Sequence, residues 1–548
     1  MFLKTDKKPL ISYSYEKVIF SGFMHFLLTF VLFFYAITMQ AFEQDHYEKL
    51  KLTTLYNSLD PTSFAQLFAF YELYPHTPQG SSALNKAREL FNLHKISSNA
   101  STKVVALPPL DMQAMIALVN KQPHETPTPL TLEQINMVDK LSSHLHNRLL
   151  KGHSCTTKEE ILSLDKDEID LARALLIYQF DDNPNALIEI KRYETMLDMM
   201  ALQILARLPA NPSPIEKIDA INNLIFYEMQ FRFPPHSLWV NDVDLYTFLP
   251  SVLDSRLGVC LGVSILYLSI AQRLDLSLEV ITPPGHIYIR YQEGSTLINI
   301  ETTARGIHLP SDTYLGINTC LLHERTMKEV VGLAFMNQAA VLFNKKDHKT
   351  AVHLYETAQL FIPDDPLLKM LLGMQYILIG NKKEGKKLFK QIQGIPFPDA
   401  IYPESLPEDY LAKRVTDEAL DLIFMHVDET RESIIKKQQA LEKVLRDCPK
   451  FRGGLFQLAI SWLQLGRAKE GLEILHRYRA LDPNDPTVNY YISILSMQRL
   501  QYKQAWVFLT ATKKILDKKN HHPKSLRGLE YELRHLYPEV IHKNSHAI

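Results

Sequence analysis

The feature that most restricts the fold of this chain is a spacing that recurs in its last third. Ala351, Tyr355 and Ala358 are answered by Gly385, Phe389 and Ile392, each 34 positions later (385 − 351). Gly471, Leu475 and Tyr478 are answered by Ala505, Leu509 and Thr512 at the same interval. Small residues let two helices approach, and large ones fill the space beside them. A period of this length is one helix–turn–helix unit, which cannot bury its own apolar face and must stack on its neighbours. The spacing predicts antiparallel helix pairs over 326–395 and 451–522, joined by a helical connection over 396–450 and followed by a tail over 523–548.

The run Leu458-Ala459, Trp462-Leu463 and Gly466, followed by Gly471, Leu475 and Leu481-Asp482-Pro483, resembles the tetratricopeptide consensus. The resemblance implies an α-solenoid whose concave face takes a protein or peptide partner.

With 548 residues the chain is too long for one core, and three or four units are expected. Sixty Lys and Arg nearly cancel 61 Asp and Glu, so no bulk field favours nucleic acid. The four cysteines, Cys155, Cys260, Cys320 and Cys448, are too scattered for a disulfide framework, and none forms a Cys-x-x-Cys pair. Lys4, Lys7, Lys8 and Lys17 precede an apolar run over 18–42 without Asp, Glu, Lys or Arg. A stretch of about 20 apolar residues suits a spanning helix better than a signal peptide. The flanking charges place residues 1–17 in the cytoplasm and the main body outside it. Cleavage after Ala41, giving a secreted protein, stays open. Beyond it we expect helices over 43–106, broken between Tyr74-Pro75 and Gly80, a proline-rich linker over 107–130 and a helical connection over 131–164. Further helices are expected at 185–208 and 214–230.

The chemistry concentrates in residues 254–301. From Leu261 to Leu274 the apolar spacing is helical, which sets Cys260 in the first turn of a buried helix, and Gly258 and Gly262 allow close backbone approach. A thiol there meets unpaired amides and the positive end of the helix dipole, which favour the thiolate and could hold an oxyanion. A strand over 278–282 and the turn Pro283-Pro284-Gly285 lead to the alternating run that begins at His286. Glu293-Gly294 then suggests a two-residue hairpin turn, in which facing residue numbers sum to 587. Ile287 would face Ile300, Ile289 would face Ile298, and His286 would lie across from Glu301 with Cβ atoms about 5 Å apart. In that arrangement Cys260 attacks an acyl carbon, His286 moves the proton and Glu301 fixes the imidazole tautomer. We expect no cofactor and no metal ligands among these residues; they do not decide a calcium requirement. An inactive core that keeps the three residues for shape is the competing reading.

Gly-x-Cys at a helix start, Gly-His before a strand and an acid at the next strand's end resemble the transglutaminase-like branch of the papain-like clan. More narrowly, Ile221-Asn222-Asn223-Leu224-Ile225-Phe226, Leu253-Asp254-Ser255-Arg256-Leu257-Gly258, Ser264-Ile265-Leu266-Tyr267-Leu268, Ala271-Gln272-Arg273-Leu274 and Pro284-Gly285-His286 resemble the bacterial SirB-type family. That family joins such a core to carboxy-terminal tetratricopeptide repeats. The resemblance implies an α+β, mostly helical protein with a transglutaminase-like helix-plus-antiparallel-sheet core over 165–325 and a carboxy-terminal α-solenoid. Where the family usually has aspartate, Glu301 is one methylene longer. The implied function is a membrane-associated cysteine hydrolase or acyltransferase acting on peptide or amide bonds, with repeats for partner binding. The alternative is a non-catalytic scaffold or adaptor with an inactive core.

Other signals have ordinary explanations. The run from Gly380 to Lys387 imitates a phosphate-binding loop, but Lys387 stands where Ser or Thr is required and no strand precedes it, so a repeat turn is expected. Lys382, Lys383, Lys386, Lys387 and Lys390 suit a solvated helix face. His144, His146, His153 and Cys155 are read as a polar connection and not as a metal site. Trp239 and Asn241 are read as an ordinary loop ahead of the core, with a side-chain oxyanion donor as the lesser alternative.

Overall fold

A computed structural model describes residues 52–59, 61, 64–97, 130–181, 183–234, 246–397, 404–427 and 430–537. The apolar run 18–42 and the loop with Trp239 and Asn241 lie outside the described residues, as does nearly all of the linker 107–130. Among the described residues no helix is long and apolar enough to cross a membrane. The chain divides into two compact units, 1–116 and 117–548.

In the first unit, helices Phe64–Leu73 and Pro78–Ser97 enclose a small core of Leu67, Phe70, Ala83 and Ala87. The break between them is shorter than expected, because Pro78 opens the second helix and Gly80 already lies in its first turn. A Cβ at position 80 would stand 2.0 Å from the Tyr74 carbonyl oxygen, so glycine is what permits the tight entry.

The second unit is built around helix Cys260–Arg273, which is buried along most of its length. Helices Leu171–Phe180, Ala186–Leu205, Pro214–Asn222 and Leu249–Ser255 surround it. Ser213 and Glu216 close a capping box ahead of Pro214, which fixes where the third of these begins. The expected continuation of that helix to 230 is replaced over Asn223–Glu228 by a π-helical turn, whose extra residue apolar spacing does not register.

Four short antiparallel strands follow, β1 (Glu279–Thr282), β2 (Tyr288–Glu293), β3 (Thr296–Ile300) and β4 (His323–Arg325), in the order β3-β2-β1-β4. The expected hairpin register is corrected by two residues. Ile289 faces Ile300, Tyr291 faces Ile298 and Glu293 faces Thr296, which moves the turn to Gly294-Ser295. Positive φ at Gly294 and not at Ser295 is the pattern of a type II′ turn, where glycine takes the first central position. A slip of two leaves every side chain on its original face, so the two isoleucine pairings were misplaced while the facing pattern was kept.

Thr326 and Glu329 form a capping box that turns the chain from β4 into helix Met327–Asn344, the first of the array. His348–Phe361, Pro366–Leu378 and Lys382–Gln391 follow, and later Arg431–Asp447, Arg452–Gln464, Ala468–Leu481, Pro486–Gln498 and Tyr502–Asp517. The starts His348 and Lys382 are one period apart, as are Ala468 and Tyr502. Gly385 lets its helix approach the Gly373 carbonyl, since a Cβ would meet that oxygen at 2.5 Å. Gly380 and Asn381 form the turn and N-cap before Lys382–Gln391, whose five lysines are exposed, as expected for a repeat turn and a solvated face. The segment read as a tail contains helix Lys524–Leu536. Its Leu526, Leu529 and Leu533 share a buried cluster with Leu509, Leu516 and Ile317, so the end of the array packs against the loop that follows β3.

Candidate functional site

Cys260 occupies the first position of its helix, and Val259 offers no side-chain cap, so the first-turn amides have no acceptor from the capping residue. Both glycines act as anticipated. A Cβ at Gly262 would stand 2.1 Å from the Tyr246 carbonyl oxygen, and one at Gly258 would stand 2.6 Å from Val263 Cγ2. The thiol is partly exposed. His286 is delivered by a tight turn in which its N–H donates to the Pro283 carbonyl at 3.0 Å, with Pro284 and a positive-φ Gly285 at the central positions. Those are the residues a type II turn favours there.

The corrected register makes His286 a diagonal neighbour of Glu301, and the longer acid spans the gap. His286 Nε2 lies 2.7 Å from Glu301 Oε2. The Cys260 thiol is near enough to act on the same imidazole and raise its basicity, and Nδ1 is the ring nitrogen that Glu301 leaves over. The three residues expected to act together are therefore brought together.

Several residues that were not anticipated complete the arrangement. Tyr314 donates to Glu301 Oε2 at 2.6 Å, and Thr303 donates to Oε1 through its hydroxyl at 2.7 Å and its amide at 3.2 Å. With His286 these saturate the carboxylate's acceptor sites. The Tyr314 ring stacks on Tyr288 at 4.5 Å and on His286 at 5.8 Å between centroids. Thr302, fully packed at 3% exposure, meets Ser264 Oγ at 3.1 Å, and Ser264 lies one turn after Cys260. That contact fastens the end of β3 to the cysteine helix, a juxtaposition that residue spacing alone could not supply. The adjacency of Thr302 and Thr303 to Glu301 was a usable signal; Tyr314, far along an irregular loop, gave none.

Burial alone would make His286 less basic, but hydrogen bonds with Cys260 and then Glu301 outweigh it and lift the imidazole to about 10. Burial would raise Glu301, yet donation from His286, Tyr314 and Thr303 lowers its carboxyl to about 2. Burial and the bond to Glu301 push the Tyr314 hydroxyl well above its ordinary value, so it remains a donor.

The grouping of His144, His146, His153 and Cys155 does not assemble. His146 pairs with Asp275, and the buried Cys155 thiol lies 3.6 Å from the Lys151 carbonyl oxygen, pushed up by burial. His153 instead lies within 4.8 Å of carboxylate oxygens of Asp170 and Glu194. Those acids are already engaged. Arg173 forks onto Glu194 with two bonds of 2.6 Å, and Asp170 accepts from Asn147, His153 and the Arg173 amide. A metal would have to displace these donors, so the group is a poor fit for one.

Residues 191–318 match the family model described as the transglutaminase-like superfamily, a span that holds Cys260, His286, Glu301 and Tyr314. A stretch of 78 residues is 31% identical to F-box only protein 21 of Mus musculus. It spans 14% of this chain and 12% of that relative, a small part of its length. Among solved structures, MamA 41-end from Desulfovibrio magneticus RS-1 aligns at 13% identity over 34% of this chain and 96% of that one, with a TM-score of 0.18. A crystal structure of MamA aligns at 12% identity over 33% and 96%, with a TM-score of 0.19. Overlaps this loose carry no argument, and the helical array rests on its own 34-residue spacing and paired helices.

Proposed function

We propose that the transglutaminase-like core is a cysteine-dependent hydrolase or acyltransferase for peptide or isopeptide-like amides, and that the helical array engages a protein or peptide partner. The observation that carries this reading is that Glu301 holds Nε2 of His286 while the Cys260 thiol acts on the same ring, which leaves Nδ1 to serve the thiol. Cys260 thiolate adds to the amide carbon, and first-turn amides of its helix stabilise the oxyanion. The tetrahedral adduct collapses to a thioester as Nδ1–H protonates the departing amine. Water or a second amine, deprotonated by the same nitrogen, then releases the acyl group and regenerates the thiol. The sequence blocks around Asn222, Asp254, Tyr267 and His286 support a place near the SirB-type family. The run 18–42 supports membrane association with the main body outside the cytoplasm; a mature chain beginning near Phe42 and soluble after alkaline extraction would overturn that part.

The test is competitive alkylation with iodoacetamide, read residue by residue by mass spectrometry in the folded protein. Cys260 should react faster than Cys155, Cys320 and Cys448, and a His286→Ala variant that still folds should lose that advantage. An unreactive Cys260 would replace this reading with a non-catalytic scaffold whose core organises the array.

A further inference from the structure

A groove of about 570 Å³ runs between the array and the turn that carries His286. Gly285, the residue immediately before His286, is part of its lining. Its walls are mostly apolar, formed by Phe343, Leu371, Phe424 and Phe456 from separate elements. Two charged side chains line it, and they differ in one respect. Lys437 is already engaged, donating to the Ile423 carbonyl at 3.3 Å and to Gln457 Oε1 at 3.0 Å. Glu404 has no hydrogen-bond or ion-pair partner among the described residues, and burial is the sole influence on its carboxyl, raising it to about 7.

A carboxyl left unpartnered among apolar walls costs free energy that a cationic hydrogen-bond donor would recover. Lys437, held in the same groove by Ile423 and Gln457, leaves Glu404 free to pair with one further cation and disfavours any beyond that. We propose that this groove is the substrate cradle and that its occupant is an extended apolar peptide segment bearing one basic side chain, which pairs with Glu404 while the chain runs out past Gly285 toward Cys260. Gly285, which takes positive φ and lines the groove, is followed directly by His286. This deepens the proposed amide chemistry by naming its substrate, and rests on it for the claim that the bound segment is cleaved or transferred.

Binding is separated from turnover by working with Cys260→Ala. The probes are two fluorescein-labelled, end-blocked peptides of Leu, Phe and Ser residues around a central Lys or, in the second, norleucine, compared by fluorescence anisotropy. The Lys peptide should bind on the order of tenfold more tightly, the worth of one charge-assisted hydrogen bond. Glu404→Gln should erase that preference, and Phe456→Ala should weaken both peptides; thermal melting establishes that each variant is folded. Equal affinity for the two peptides, or a Lys preference that survives Glu404→Gln, overturns the cradle. If the Lys peptide binds as stated while Cys260 proves inert to iodoacetamide, the cradle stands and the cleavage reading falls. If Cys260 is reactive but the peptides bind alike, the cradle falls and the cleavage reading stands.

Discussion

Two histidines that reach buried carboxylates lie in the same compact unit, and their second ring nitrogens set them apart. His286 reaches Glu301 at 2.7 Å through Nε2, and His153 reaches Asp170 at 3.2 Å through Nδ1. Both acids are buried. The free nitrogen of His286 meets a partly exposed thiol at a helix start, whereas that of His153 meets the Arg148 guanidinium. A guanidinium has no lone pair with which to take up a proton and always donates, so His153 Nε2 can act there only as an acceptor. Around it Arg148, Arg173 and Arg273 balance Asp170, Glu194 and Asp198 in a closed ionic network. The same dyad is thus a structural knot in one place and a candidate proton relay in the other. What decides is whether the outer nitrogen faces a group that can exchange a proton.

The largest effect should come from breaking the closed network. Asp198 accepts from Arg273 Nε at 2.7 Å, from Ser142 and from Arg148. Asp198→Ala would strand buried guanidinium groups and should cost about 3–5 kcal/mol, read from the urea midpoint. A loss under about 1 kcal/mol, the level of an exposed pair, would contradict the structural role. Cys260 alkylation should be untouched by His153→Ala.

The converse substitution, His286→Ala, should spare most of the stability and slow Cys260 alkylation at neutral pH by at least about tenfold, because the thiol loses the imidazole that would take its proton. If the two histidine variants slow Cys260 equally, the distinction between the dyads collapses.

A smaller effect should appear in pH dependence. Because His286 is raised from 6.5 to about 10, the stability it contributes is complete below 6.5 and is lost as pH climbs toward 10. Glu301 is lowered from 4.5 to about 2, so its share is complete above 4.5 and is lost as acid takes the pH toward 2. The melting-temperature gap between parent and His286→Ala should therefore be widest near pH 6 and narrow by pH 10. A gap that widens with rising pH would mean that His286 is neutral in the fold.

The smallest change is expected from Tyr314→Phe, which removes one of four donors to Glu301 and should cost about 1 kcal/mol with a few-fold loss of Cys260 reactivity. Unchanged alkylation in this variant would make Tyr314 a packing residue.

What was legible in the sequence was local. The cysteine helix began where its apolar spacing and glycines placed it, the helix pairs followed their period, and His286 and Glu301 emerged on one face of a hairpin. The register was misjudged because Glu293-Gly294 and Gly294-Ser295 are both acceptable turns. Pairing of β2 with β1 on its other edge belongs to the sheet as a whole and was not visible in the turn. The error was harmless to the site because two residues is one full strand period.

The sequence by itself determined the helices, their caps, the small residues at close approaches and the identities of the Cys, His and acid, because each depends on neighbours within a few turns of chain. The tertiary structure alone decided that Thr302 meets Ser264, that Tyr314 saturates Glu301, and that His521, from the end of the array, holds the Gly316 carbonyl at 2.7 Å. It also decided that Glu404 faces the groove beside Gly285. Such contacts join residues far apart in sequence, and no local preference encodes them. They are fixed when the apolar faces of helix and sheet are buried together and most polar groups carried inward are paired.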